Sequence, residues 1–193
     1  MRFLLSLIMV CSLPVAAEEI PRSAVIRFNT VCANCHEGEC SGRLSFQSGV
    51  DAARGHMERY LGTITGTDAD ALFALLRHTK EHCTHYPAAA ESPAGGAWTT
   101  ADLAPWRNIR EGGYFIPLGN VGAGSHRLQL RFAATARSGR LKITDQRFET
   151  LVEETLCPEN TLETRFVAAG GPLYMTLQTQ TELIGIRLDS PAP

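Results

Sequence analysis

The sequence has no stretch dense in lysine and arginine, and its formal net charge is only −2 over 193 residues. Recognition of nucleic acid needs a basic face, so no nucleic-acid partner is expected. Beyond the first residues, no run is apolar enough to span a bilayer, which takes about 20 residues. No membrane span is therefore expected in the mature chain. No internal repeat is visible. No Ser/His/Asp set and no pair of carboxylates stands out, so no catalytic residue is assigned. Past residue 90, histidine and cysteine nearly vanish, leaving only His126 and Cys157.

What is present is concentrated at the front. The chain opens MRFLLSLIMVCSLPVAAEE. One charge at Arg2, a short apolar run from Phe3 to Val10, and the small residues Val15-Ala16-Ala17 have the layout of a secretory signal. Cleavage near Ala17 would deliver the protein to a bacterial periplasm. The mature chain then divides at PAAAESPAGGAW, residues 87–98, a Pro/Ala/Gly-rich boundary. This gives a signal at 1–17, a first domain at 18–92 and a second at 93–193.

The first domain reads as helical. Helices are expected at 23–31, at 49–62 and, most clearly, at 67–83. In the last, Leu72, Leu75, Leu76, Thr79 and Cys83 recur at helical spacing. Thr67 is a candidate cap with Asp70 three residues on. Residues 32–40, CANCHEGEC, carry the strongest chemistry. Cys32-Ala33-Asn34-Cys35-His36 is a C-x-x-C-H pattern, which reads as attachment of one covalent haem c. Two thiols three positions apart suit two thioether bonds, and the next residue offers an imidazole to the iron. His56 is the first candidate for the opposite axial position, and Met57 the alternative. Cys40 and Cys83 are left over and, in an oxidising compartment, are expected to pair. A four-thiolate metal site from Cys32, Cys35, Cys40 and Cys83 is the competing reading. His78, His82 and His85 share one side of a helix, as a metal row or a solvated face.

With its flanking helices, CANCH resembles a small class I-type c cytochrome over roughly residues 22–87. That resemblance implies an all-α fold, thioether bonds at Cys32 and Cys35, and His36 as proximal ligand. It departs from the family in lacking an evident loop with a distal methionine and in carrying Cys40.

In the second domain the period changes to two. HRLQLRF (126–132), RLKIT (140–144), LYMTL (173–177) and ELIGIRL (182–188) alternate apolar and polar residues. GYFIPLG and TRFVAAGG add further strands, separated by glycine-containing turns. Six or seven short strands imply an antiparallel sandwich or jelly roll. By strand pattern this half resembles the small jelly-roll sandwiches of carbohydrate-binding modules. Trp98, Trp106 and Tyr114 are expected in a groove or at the seam between domains.

The sequence therefore points to an all-α cytochrome c-like haem domain followed by an all-β sandwich. The leading expectation is an exported monohaem cytochrome that carries electrons to or from a periplasmic redox protein or complex. Two alternatives stand beside it. One is a haem enzyme or sensor with an open iron site. The other is a haem-free exported binding module with a disulfide- or metal-stapled head.

Overall fold

The structure is a computed structural model and describes residues 20–36, 49–88 and 92–190. The signal-like stretch 1–17 and Cys40 lie outside these residues. Strands dominate. Eight of them, β1 (Ala97–Thr99), β2 (Tyr114–Val121), β3 (Gly124–Ala136), β4 (Arg140–Asp145), β5 (Thr150–Thr155), β6 (Glu159–Ala168), β7 (Gly171–Gln178) and β8 (Leu183–Asp189), make two antiparallel sheets. Their orders are β1-β8-β3-β6 and β2-β7-β4-β5.

The alternation written in the sequence explains the core between the sheets. Leu128, Leu130 and Phe132 of β3 point inward, as do Leu141 and Ile143 of β4 and Leu173, Met175 and Leu177 of β7. Trp98, Trp106 and Tyr114 are buried in the same core, and the Trp106 ring also meets the Arg22 guanidinium of the helical layer at 4.7 Å. In β8, Ile186 and Leu188 point inward as their alternation predicts, and only the start of the strand differs. Leu183 is buried in place of Ile184, because the register against β3 shifts between Arg131 and Phe132. A bulge of this kind moves side chains to the opposite face of a strand. Residues 145–156 form a turn followed by β5.

Among the described residues, four α-helices precede the sandwich: α1 (Arg22–Arg27), α2 (Ala33–His36), α3 (Val50–Leu61) and α4 (Gly66–His82). Between α1 and α2 the chain winds one wide turn, with the Ala33 amide bonded to the Phe28 carbonyl. Such wide turns recur at functional sites. Helix α4 begins earlier than expected. Its cap is Thr65, whose hydroxyl accepts from the Asp68 amide while the Asp68 carboxylate accepts from the Thr65 amide. This satisfies orphan donors at both ends of the first turn.

The expected fold is corrected at this point. The helices do not make a class I-type cytochrome domain beside a sandwich. Their buried residues, among them Val25, Phe28, Met57, Leu61, Leu72 and Leu75, close over Phe115 of β2 and Tyr174 of β7. Ile26 reaches the core of the sandwich itself. Both strands thus present apolar side chains on two faces, Ile116 and Met175 inward, Phe115 and Tyr174 outward. The molecule is predominantly β, with a helical layer laid on one sheet. The physical reason is area: short helices with narrow apolar stripes bury too little against one another. The electron-carrying reading rested on that all-α domain and falls with it.

Candidate functional site

The helical layer opens into an apolar crevice. Phe28, Val31, Cys32, Cys35 and His36 form one wall, and Ala53, His56, Met57 and Tyr60 of α3 the other, with Leu72 and Leu76 of α4 behind. The structure therefore brings together all five residues singled out in the sequence. Met57 is 7% exposed and packs in the layer's core. His56 is exposed and faces the first wall, its ring centroid 6.0 Å from that of His36, with the planes at 70°. Tyr60 is also exposed and stands 5.1 Å from the His56 ring. The mouth is thus aromatic and polar, and the interior is apolar.

Cys32 and Cys35 are free thiols, half-buried and exposed respectively. Burial pushes the Cys32 thiol up to about 11, against the pull of the Arg27 guanidinium. It is therefore a neutral thiol at physiological pH. A metal site needs thiolates, and burial opposes that charge. Among the described residues, no three His, Cys, Asp or Glu groups converge on a point that could hold a metal ion. The four-thiolate reading also required Cys40, which lies outside them. The histidine row does not form either. The His78 and His82 rings lie 4.7 Å apart, but His85 leaves the helix and packs against Phe115, Phe148 and Tyr174. Cys83 is disulfide-bonded; the expected partner Cys40 is not among the described residues. Cys157 is exposed and free.

The wall carrying Cys32 and His36 is held by a polar clamp that sequence reasoning missed. Asn29 donates to the Val25 carbonyl at 2.9 Å, and Thr30 to the Ile26 carbonyl at 2.8 Å. Thr30 Oγ1 in turn accepts from Asn108 Nδ2 at 2.7 Å. Asn108 also organises its own loop, accepting at Oδ1 from the Glu111 amide and at its carbonyl from the Gly112 amide. Further on, Gln178 of β7 donates to Asn34 Oδ1 at 2.7 Å. Arg27 lies within 4.0 Å of both Asp68 and Glu111, linking α1 to α4 and to the same loop. The available signal was Asn29-Thr30, two polar residues interrupting an apolar helix face. A buried polar group must find a partner.

Fitness for a haem can be tested on these residues. The crevice is apolar, two free thiols sit on one turn at its edge, and His36 shares their wall while His56 and Met57 occupy the facing one. Thioether bonds carry no charge, so the environment that disfavours a Cys32 thiolate does not oppose them. The donor set fits one haem c.

No protein-family model matches the chain, and no curated protein does. Among solved structures, a family 35 carbohydrate-binding module from an environmental isolate is similar, with TM-score 0.30 and 16% identity over 41% of this chain and 67% of that one. A family GH115 4-O-methyl-α-glucuronidase with specificity for decorated arabinogalactans gives TM-score 0.36 and 10% identity over 74% of this chain and 24% of that one. A carbohydrate esterase family 2 enzyme with a carbohydrate-binding domain, from Myceliophthora fergusii, gives 0.28 and 14% over 52% and 30%. Scores this low carry no argument about function.

Proposed function

We propose that this protein is an exported binding module whose binding site is the crevice between Phe28–His36 and α3. One observation carries this reading: a formed apolar recess with Cys32, Cys35 and His36 on one wall and His56, Met57 and Tyr60 on the other. Export rests on the signal-like residues 1–17, which favour the periplasm. No helix among the described residues is long and apolar enough to cross a membrane. A binding module needs only this recess and a scaffold to hold it.

Two occupants are distinguished by specific observations. The donor set supports one covalent haem c, with Cys32 and Cys35 as thioethers, His36 on the iron, and His56 or Met57 facing it. Bound there, the haem would supply an iron centre for a small ligand. The exposed placement of His56 across from His36 favours it over the packed Met57. The haem-free form needs no cofactor and leaves the recess to a small apolar ligand.

The test is expression with a haem-maturation system, followed by intact mass and spectra in both redox states. A mass increase of one haem and a Soret band establish haem c. An unmodified mass with no Soret band assigns the haem-free module. His56→Ala and Met57→Ala then identify the facing ligand by which spectrum changes.

A further inference from the structure

Past residue 90 the chain keeps a single histidine, His126, and the crevice does not use it. It opens the inward row of β3, ahead of Leu128, Leu130 and Phe132, and is 2% exposed. Its imidazole stacks on Phe166, with centroids 5.4 Å apart and planes at 24°. Both ring nitrogens are engaged. Nε2 lies 3.0 Å from the Gly122 carbonyl oxygen, and Nδ1 lies 3.2 Å from Ser190 Oγ. A carbonyl oxygen only accepts, so Nε2 carries the proton and donates it. Nδ1 keeps its lone pair, and the Ser190 hydroxyl donates to it.

The strand register explains this meeting. Arg127 pairs with Asp189 and Leu128 with Leu188, so the same ladder brings Ser190 opposite His126. Residues two apart on a strand share a face, which makes Ser190 the next position after Ile186 and Leu188 on the inward row. The sandwich ends there, so His126 is buried while Ser190 is exposed. Ser190 borders a recess of about 380 Å³, lined also by the apolar Trp98, Leu118 and Leu188 and the polar Ser92 and Asn120. Gly96, at φ 66°, packs so tightly on the end of β8 that an added Cβ would collide with the Leu188 carbonyl. A hydroxyl at a recess, an imidazole buried behind it, and a carbonyl fixing the tautomer are the parts of a nucleophile with its base.

We propose that Ser190 is a nucleophile activated by His126, and that this end of the sandwich hydrolyses esters of small acyl groups, independently of what fills the crevice. Ser190 Oγ attacks the ester carbonyl carbon while its proton passes to His126 Nδ1. The bond to the alkoxy oxygen then breaks, and the alcohol leaves with that proton. Water attacks the acyl-serine, giving a proton to Nδ1, which returns it to Oγ as the acid departs. The Gly122 carbonyl orients the ring throughout, and the Asn120 amide is the lining donor suited to the carbonyl oxygen. The test uses the full chain with its free thiols alkylated, since thiols also take acyl groups. A fluorophosphonate is expected to give one adduct, mapped to Ser190 by peptide mass. Release of p-nitrophenol from p-nitrophenyl acetate is expected to fall at least about tenfold in Ser190→Ala. His126→Gln is expected to slow labelling by about a hundredfold. Ser190→Ala alters an exposed side chain, so it tests the site without disturbing the core. No adduct at Ser190, or release unchanged in Ser190→Ala, overturns the proposal. So does unslowed labelling of a His126→Gln variant whose circular dichroism is native.

Discussion

The sandwich and the helical layer are stabilised in different ways. The sandwich encloses its own core, with Leu128, Leu130, Leu141, Ile143, Met175 and Leu177 all completely buried between two sheets. The helical layer has no such enclosure. Its apolar residues close over two rings borrowed from the sheet, Phe115 and Tyr174, which stack with centroids 5.7 Å apart. What remains is made up by polar ties, from Asn108 to Thr30 and from Gln178 to Asn34. The crevice therefore sits in the part of the molecule that depends on its neighbour. Segments with few enclosed apolar contacts open at lower free energy than cores do, which suits a site that must admit a ligand.

The largest expected effect is of pH on the junction. His85 is 4% exposed, packs among Phe115, Phe148 and Tyr174, and meets Thr144 Oγ1 at 2.9 Å through Nε2. Burial chiefly, with Lys142 and His78 adding, lowers it from 6.5 to about 3. Between those values the unfolded chain binds a proton that the folded chain does not. Stability from His85 is thus complete above about 6.5 and falls as pH drops towards 3, by on the order of 5 kcal/mol in all. His78 is lowered too, again mainly by burial, and acts in the same direction. Urea midpoints at pH 7 and pH 4 measure this, and His85→Leu should shrink the difference between them. An unchanged difference would remove His85 as the acid-sensitive group.

Next in size is the borrowed ring. Phe115→Ala should cost about 3–5 kcal/mol. Hydrogen exchange should rise first in α3 and α4 while β3 and β8 stay protected. Leu130→Ala, in the sandwich core, should cost about 2–5 kcal/mol and loosen both regions together. If both variants give the same exchange pattern, the two regions are one cooperative unit. Smaller again is Asn108→Ala, expected to cost about 1–3 kcal/mol by leaving the clamp's buried groups unpaired. Its specific mark is faster alkylation of Cys32, which the clamp's segment holds half-buried. The smallest is Thr65→Ala, about 1 kcal/mol from a lost helix cap, read as lower thermal stability confined to helix α4.

The strands were legible because alternation survives any reasonable packing. HRLQLRF, RLKIT and LYMTL each place their apolar residues inward as written. GYFIPL carried a further clue: its continuous apolar run is what a strand buried on both faces requires. The helices were legible as helices, but their partner was not. The stripes of 49–62 and 67–83 say that something is covered, not whether it is another helix or a sheet. Thr65 was passed over for Thr67 because both can cap and only the backbone geometry chooses. Asn29, Thr30 and Asn108 looked like ordinary polar residues, since their shared burial brings together positions 78 residues apart.

By itself, then, the sequence determined the alternation of six or seven strands, the helices, and the C-x-x-C-H spacing of Cys32, Cys35 and His36. These are local properties, set by side-chain period and by neighbours a few residues away. Only the tertiary structure decided that the helices form a layer on a sheet, that His56 and Met57 face Cys32 and His36 across a crevice, and that Ser190 meets His126. Each of those depends on which apolar faces meet in space. That choice is made by total buried area, which no short stretch of sequence contains.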